Sequence, residues 1–142
     1  MQQPTKKSIL IVLIISAVIA ISVALTFYFS SEKDSENIKI KELVEKYNKN
    51  CPLKIQEGIR LDSVTLPREK VVQYNLTLVN VETETAELEL IEKEIGKSIA
   101  NTIKANPGLE VFRENDYTLI YQYSDKNKKF MFDVKAQPEQ YK

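Results

Sequence analysis

Apolar residues in this chain fall into three successive patterns: an unbroken run, a helical period, and strict alternation, the last two each appearing twice. The unbroken run extends from Ile9 to Phe29 without a charged residue. At roughly 21 residues it matches the ~20 needed to carry a helix through a ~30 Å hydrocarbon core. Apart from Tyr28 at its end, its hydroxyl groups, on Ser16, Ser22 and Thr26, can bond back to the carbonyl one turn earlier and so remain satisfied in lipid. Phe27, Tyr28 and Phe29 close it with aromatic rings, which favour the headgroup boundary. A transmembrane anchor is therefore expected.

Beyond the anchor, Ile40, Leu43, Val44 and Tyr47 recur at helical spacing between charged positions, and Ser35 is a candidate cap. Cys51 and Pro52 stop this helix near Asn50, because proline cannot continue the hydrogen-bond ladder. The period then changes to two. Leu53 and Ile55, then Ile59 and Leu61, predict strands. After a polar break at Pro67–Lys70, Val72, Tyr74, Leu76 and Leu78 predict another, paired back as a hairpin.

A second helix follows, entered through Thr83 or Thr85, with Glu84, Glu87 and Glu89 near its positive end. Its expected buried stripe is Leu88, Ile91, Ile95, Ile99 and Ile103, and Gly96 within it suggests close packing. Asn106, Pro107 and Gly108 end it. Tyr117, Leu119, Tyr121 and Tyr123 alternate as a further strand, and Asp125–Lys128 turns the chain into a last one through Phe130, Phe132 and Val134. The predicted fold class is α+β: a transmembrane helix, then helix, β-hairpin, helix, β-hairpin. One antiparallel sheet with its helices on one face accommodates that order. On the same grounds Ile95 and Tyr121 are expected to be buried together.

Charge sets the topology. Lys6 and Lys7 precede the apolar run, while Glu32, Lys33, Asp34 and Glu36 follow it. Positive flanks stay inside, which places Met1–Lys7 in the cytoplasm and the rest of the chain across the inner membrane. A cleaved signal fits less well, because Ala17 to Ala20 is a poor cleavage site within an apolar run longer than a typical signal core. No cysteine near the end of the run supports lipoprotein processing. The expected divisions are 1–30 (cytoplasmic stub and anchor), 31–37 (linker) and 38–142 (one extracytoplasmic domain of about 105 residues).

Twenty basic and 20 acidic side chains balance, so no electrostatic case exists for nucleic acid. With no histidine and one cysteine, Cys51, the chain lacks the ligands of a zinc centre and cannot close an internal disulfide; burial is the expected state of that thiol. Asp125, Asn127 and Asp133 superficially resemble a calcium loop but lack its glycine and terminal glutamate, which leaves a hairpin turn. A Ser/Lys nucleophile would have to use a serine such as Ser63, without a supporting motif. Glu87, Glu89, Glu92 and Glu94 read as a solvated helix face, and Asn75-Leu76-Thr77 as strand in place of a glycosylation site. The aromatic ladder of Tyr117, Tyr121, Tyr123, Phe130 and Phe132 reads as sheet core, with a ligand floor as the rival. No cofactor, metal or catalytic residue is expected. Ser16, Ala20 and Ala24 share one face of the anchor at four-residue spacing, a candidate packing face, since small residues let helices approach closely in lipid.

Asn50-Cys51-Pro52, Arg60-Leu61-Asp62-Ser63-Val64, Tyr74-Asn75-Leu76-Thr77-Leu78 and Tyr121-Gln122-Tyr123-Ser124-Asp125-Lys126-Asn127 together resemble a pattern of small, membrane-anchored bacterial envelope proteins. The chain departs from that pattern at the turn, where Lys128 stands in place of a common glycine. The resemblance implies an envelope location and supplies no activity. The functional expectation is a non-enzymatic accessory or structural subunit of an envelope complex, with the lipid bilayer and a protein as partners. The alternative is a tethered domain that binds a small ligand, or a peptide along an open sheet edge.

Overall fold

The β-strand segment ending at Leu78 and the one beginning at Thr118 lie side by side and point the same way, and this pairing organises the rest of the fold. A computed structural model describes residues 35–142. The anchor, the N-terminal stub, the first half of the expected linker, and Ser16, Ala20 and Ala24 lie outside the described residues. Among the described residues no helix is long and apolar enough to cross a membrane. The elements are helix α1 (residues 35–50), strands β1 (Leu53–Gln56), β2 (Ile59–Arg68) and β3 (Val71–Leu78), helix α2 (Leu88–Thr102), a 3-10 turn (Pro107–Leu109) running into the short α3 (Glu110–Glu114), strands β4 (Thr118–Ser124) and β5 (Phe130–Ala136), and α4 (Pro138–Tyr141). Helix is already formed at residue 35.

The five strands form one sheet in the order β1-β2-β3-β4-β5. Both predicted hairpins are present, β2 with β3 and β4 with β5, and β1 adds antiparallel to β2. The expectation of an antiparallel sheet is corrected at its centre, where β3 and β4 run parallel from Val71↔Thr118 to Thr77↔Ser124. Alternating side chains report which face of a strand is buried but not its direction. A parallel neighbour requires a crossover of a dozen or more residues, and the segment holding α2 and α3 supplies it.

Helices cover one face, as expected. Val72, Tyr74, Leu76 and Leu78 of β3 share that face with Leu119 and Tyr123 of β4, Leu61 and Val64 of β2, and Phe132 and Ala136 of β5, and all are buried. Ile40 and Val44 of α1 join this core. The Asn48 amide fastens α1 to β2 by donating to the Val64 carbonyl and accepting from its N–H, each at 2.8 Å. Phe112 of α3 has no exposed surface and meets Tyr74 and Tyr117 edge-on, with centroids 6.5 and 5.6 Å away. At the C-terminus, the Tyr141 hydroxyl donates to the Tyr117 carbonyl. The other face carries a polar ladder: Gln73 Nε2 donates to Asn75 Oδ1 (2.8 Å) and Gln122 Oε1 (3.2 Å), while Asn75 Nδ2 donates to Ser63 Oγ (3.0 Å).

The start of the crossover is tied to the β4–β5 turn by a single carboxylate. Asp125 is fully buried, and its Oδ2 accepts from the Thr83 hydroxyl (2.7 Å) and N–H (3.1 Å). Its Oδ1 accepts from the N–H groups of Asn127 (2.8 Å) and Lys129 (2.9 Å). Lys126 N–H donates to the Val81 carbonyl at 2.9 Å, and the Lys129–Glu84 ion pair (2.6 Å) closes the rim. Thr83 is thus occupied by Asp125 and does not cap α2, which begins after Glu87 without a side-chain cap. Lys128 takes the left-handed φ of +64°, the conformation for which a glycine at this turn would be suited.

Helix α2 holds no fully buried residue, and a Cβ placed on Gly96 would meet nothing within 4 Å. The close packing expected at Gly96 is therefore absent, because the glycine faces open space. Gly96→Ala should raise stability by up to about 1 kcal/mol through helix propensity alone, read from the midpoint of chemical denaturation; a loss of stability would mean that the position is packed.

The hydrogen bond from the Thr83 hydroxyl, followed by the backbone donors, lowers the Asp125 carboxyl from its ordinary 3.8 to about 2. A carboxyl depressed by folding contributes stability above its unfolded value and loses that contribution as pH falls toward its folded value. The stability gap between the native chain and Asp125→Asn should thus be widest above pH 4 and shrink steadily down to about pH 2. Thermal midpoints of the two proteins across that range provide the measurement, and a gap that does not change with pH would contradict the role given to the charge.

Candidate functional site

Because α2 only half-buries Leu88, Ile91, Ile95 and Ile99, while Ile103 just beyond it is buried as expected, a partly open cleft of about 550 Å³ lies between helix and sheet. Ile95 and Ile99 form one wall. Ile59 and Leu61 of β2, Tyr74 and Leu76 of β3, and Tyr121 and Tyr123 of β4 form the floor, where strand alternation directs them toward the helices. Tyr47 of α1 and Leu109 of the 3-10 turn close one end, while Ile55 and Gln56 of the edge strand β1 stand at the other. Ile95 and Tyr121, expected to be buried together, both line this cleft, and each is only half-buried.

The cleft combines an apolar lining with phenol groups. Tyr74 and Tyr121 stack with centroids 5.2 Å apart and planes 11° from parallel, and Tyr47 meets Tyr74 edge-on at 6.3 Å. The Tyr47 hydroxyl donates to the Gly108 carbonyl at 3.0 Å. The Tyr74 side chain is 7 % exposed, and its hydroxyl is the buried side-chain group without a hydrogen-bond partner among the described residues. Such an orphaned group costs about 1–3 kcal/mol, so it marks a position where an acceptor or a water would be stabilised. Burial, then the neighbouring phenols Tyr121 and Tyr47, pushes the Tyr74 hydroxyl far above the usual phenol range. Burial likewise raises Tyr121, and it raises Tyr123 to about 12. These groups stay protonated at any physiological pH and act as neutral donors.

The helix wall also supplies polar groups, but most are engaged. Thr102 Oγ1 donates to the Ser98 carbonyl (3.0 Å), and Asn106 Oδ1 accepts from the Gly108 N–H (2.9 Å). Glu94, the charged residue of the lining, pairs with Lys97 at 3.0 Å in solvent.

Other sequence candidates lie elsewhere. Ser63 is engaged in the polar ladder on the opposite face, as is Asn75 of the strand triplet. Glu87, Glu89, Glu92 and Glu94 are exposed along α2, the solvated face anticipated for them. Asp125 is consumed by the turn, whereas Asp133 sits on β5 opposite Gln122 and 3.6 Å from Lys135. Among the described residues no group of three His, Cys, Asp or Glu side chains gathers as a metal site. Cys51 is half-buried and free, its thiol raised by burial and then by the Asp62 charge. Of the aromatic ladder, Tyr121 and Tyr123 reach the cleft, Tyr117 and Phe132 are core, and Phe130 is exposed. Sequence reasoning missed Tyr74 and Tyr47 as cleft residues. Their signal was the rarity of two tyrosines on facing apolar stripes, where aliphatic residues alone would serve a core.

Three solved structures share this architecture. A protein of Pseudomonas aeruginosa inferred to be secreted matches with a TM-score of 0.62 at 11% identity, covering 76% of this chain and 94% of its own. The pilotin of the type II secretion system of Vibrio vulnificus matches with a TM-score of 0.60 at 4% identity, over 80% of this chain and 97% of its own. The type II secretion pilotin AspS of Vibrio cholerae gives 0.57 at 11%, over 79% and 97%. At such identities the likeness establishes a common fold. A comparison with curated proteins gives no match. The family profile described as domain of unknown function DUF8479 matches residues 26–132, most of the chain, and the protein belongs to that family.

Proposed function

We propose that this protein is a non-enzymatic accessory subunit of a bacterial envelope complex, held by a single-pass anchor over Ile9–Phe29 with its α+β domain on the extracytoplasmic side. The main support is the fold shared with two pilotins over 97% of their chains, proteins whose names tie them to a secretion system. The uncharged N-terminal run and its lysine-rich flank support the anchoring and the orientation. Partner contact within the membrane is assigned to Ser16, Ala20 and Ala24, where small side chains permit close approach of backbones. A second reading, a tethered domain that binds a small ligand, is favoured by the cleft and its orphaned phenol.

Two measurements test the first reading. Reporters active on only one side of the membrane, fused after Phe29 and after Tyr141, should both report the extracytoplasmic side; a cytoplasmic signal from either reverses the orientation. Mild-detergent purification should bring down a defined envelope component. Ala20→Leu with Ala24→Leu should reduce its recovery, while the control pair Ile19→Leu with Val23→Leu, rotated about 100° per residue away, leaves it unchanged. Full recovery with the alanine replacements would remove the anchor face from the interface.

A further inference from the structure

We infer that the cleft between α2 and the sheet is a binding site for an uncharged amphiphile, an apolar body carrying a hydrogen-bond acceptor that meets the Tyr74 hydroxyl. This rests on the ligand-binding reading and is independent of the partnership assigned to the anchor.

Size, polarity and charge each narrow the occupant. The cleft, at about 550 Å³, lies within the ~300–1,000 Å³ of small-molecule sites and holds the volume of roughly 18 liquid waters. That is room for a ligand on the order of 20 non-hydrogen atoms. Ile59, Leu61, Leu76, Ile95 and Ile99 offer the body an apolar bed. Tyr74 lines the cleft and is more than nine-tenths buried, and its hydroxyl is without a partner among the described residues. As a neutral phenol it can donate to a carbonyl or ether oxygen. A carboxylate or phosphate head would be desolvated there with no cation in the lining to meet it, because Glu94 is the charged group and its Lys97 partner lies outside. A cationic head fares no better, since Glu94 is already paired and exposed. An uncharged ester, amide or ether satisfies the orphaned donor without burying a charge.

The test uses the full chain in lipid vesicles and a monoacylglycerol whose acyl chain carries a diazirine. Irradiation should label residues of the cleft, among them Ile95, Ile99 and Tyr121. Excess glyceryl monolaurate should compete, whereas laurate, with the same chain and a charged head, should compete at least tenfold less well. Glyceryl monohexanoate, which is water-soluble, separates two sources of the same chemistry: competition by it means that a free solute suffices, and competition by the long-chain ester alone means a bilayer lipid.

Two variants guard the interpretation. Tyr74→Phe removes only the hydroxyl, so it should weaken competition about tenfold while raising the thermal midpoint of the ligand-free protein, because an unsatisfied group is lost. Ser98→Trp, from an exposed helix position that borders the cleft, should fill the space and abolish labelling while the protein remains folded. Labelling confined to the anchor, laurate competing as well as its neutral ester, or unchanged labelling of the Ser98→Trp protein would each overturn the site. None of these outcomes bears on whether a protein partner co-purifies.

Discussion

The parallel pairing of β3 with β4 is the constraint on which the other features depend. Two strands that run the same way must be joined by a chain that travels the full length of the sheet and returns. The return path here includes α2, which has to lie across one face because an apolar stripe at helical spacing needs a surface to cover it. That requirement also fixes which side chains look at α2: alternate residues of β3 and β4 and their register partners on β2, from Leu61 through Tyr74 and Leu76 to Tyr121 and Tyr123. The cleft is therefore a product of topology. An antiparallel pairing in the centre would have allowed a tight turn and left no helix spanning the face.

A long crossover is entropically costly to hold, and the structure fastens it at both ends. Asp125 closes its own hairpin turn through two backbone N–H groups and simultaneously grips Thr83 on the segment leaving β3. One buried carboxylate with four donors is satisfied without a cation, since hydrogen bonds to the charged form replace the lost hydration. Around it, Lys126–Glu82 (3.2 Å) and Lys129–Glu84 (2.6 Å) are exposed ion pairs worth little individually. At the far end of the crossover, Arg113 donates to the carbonyls of Ile103 (3.0 Å) and Asn106 (2.6 Å), and Phe112 is sealed among rings. Between these two fixed ends α2 is held by half-buried isoleucines, which makes it the loosest covering element of the core.

Legibility in the sequence followed the same divide between local and non-local information. Strands β1 to β5 and both hairpins were readable because alternation and turn chemistry act over a few residues. The end of α1 at Cys51 and Pro52 was readable for the same reason. Strand direction in the centre was not, because Tyr117–Tyr123 reads identically whether its neighbour runs up or down. Pro67 read as a break, yet β2 continues to Arg68 and turns at the next two residues; the pairing shifts register between Thr65 and Arg68, which spares the missing N–H. The short α3 carries Phe112, the largest fully buried side chain, and left only the spacing of Leu109 and Phe112 as its trace. Asp125 was legible as a turn residue and illegible as a clamp, since Thr83 is 42 positions away.

The energetics of α2 connect the cleft to the fold's own economy. A helix whose stripe is half-buried forgoes apolar burial at roughly 25 cal/mol per Å² of surface left in water. An unpartnered Tyr74 hydroxyl adds a further penalty of about 1–3 kcal/mol. Neither loss is forced by the backbone, because a larger side chain at Ile95 or Ser98 and a phenylalanine at position 74 would remove both within the same topology. The compensation lies elsewhere, in the Asp125 clamp, the edge-on rings of Phe112 and Tyr117, and the hydrogen bond from the Tyr141 hydroxyl to the Tyr117 carbonyl. A molecule that fills the cleft and accepts from Tyr74 would recover the two losses at once.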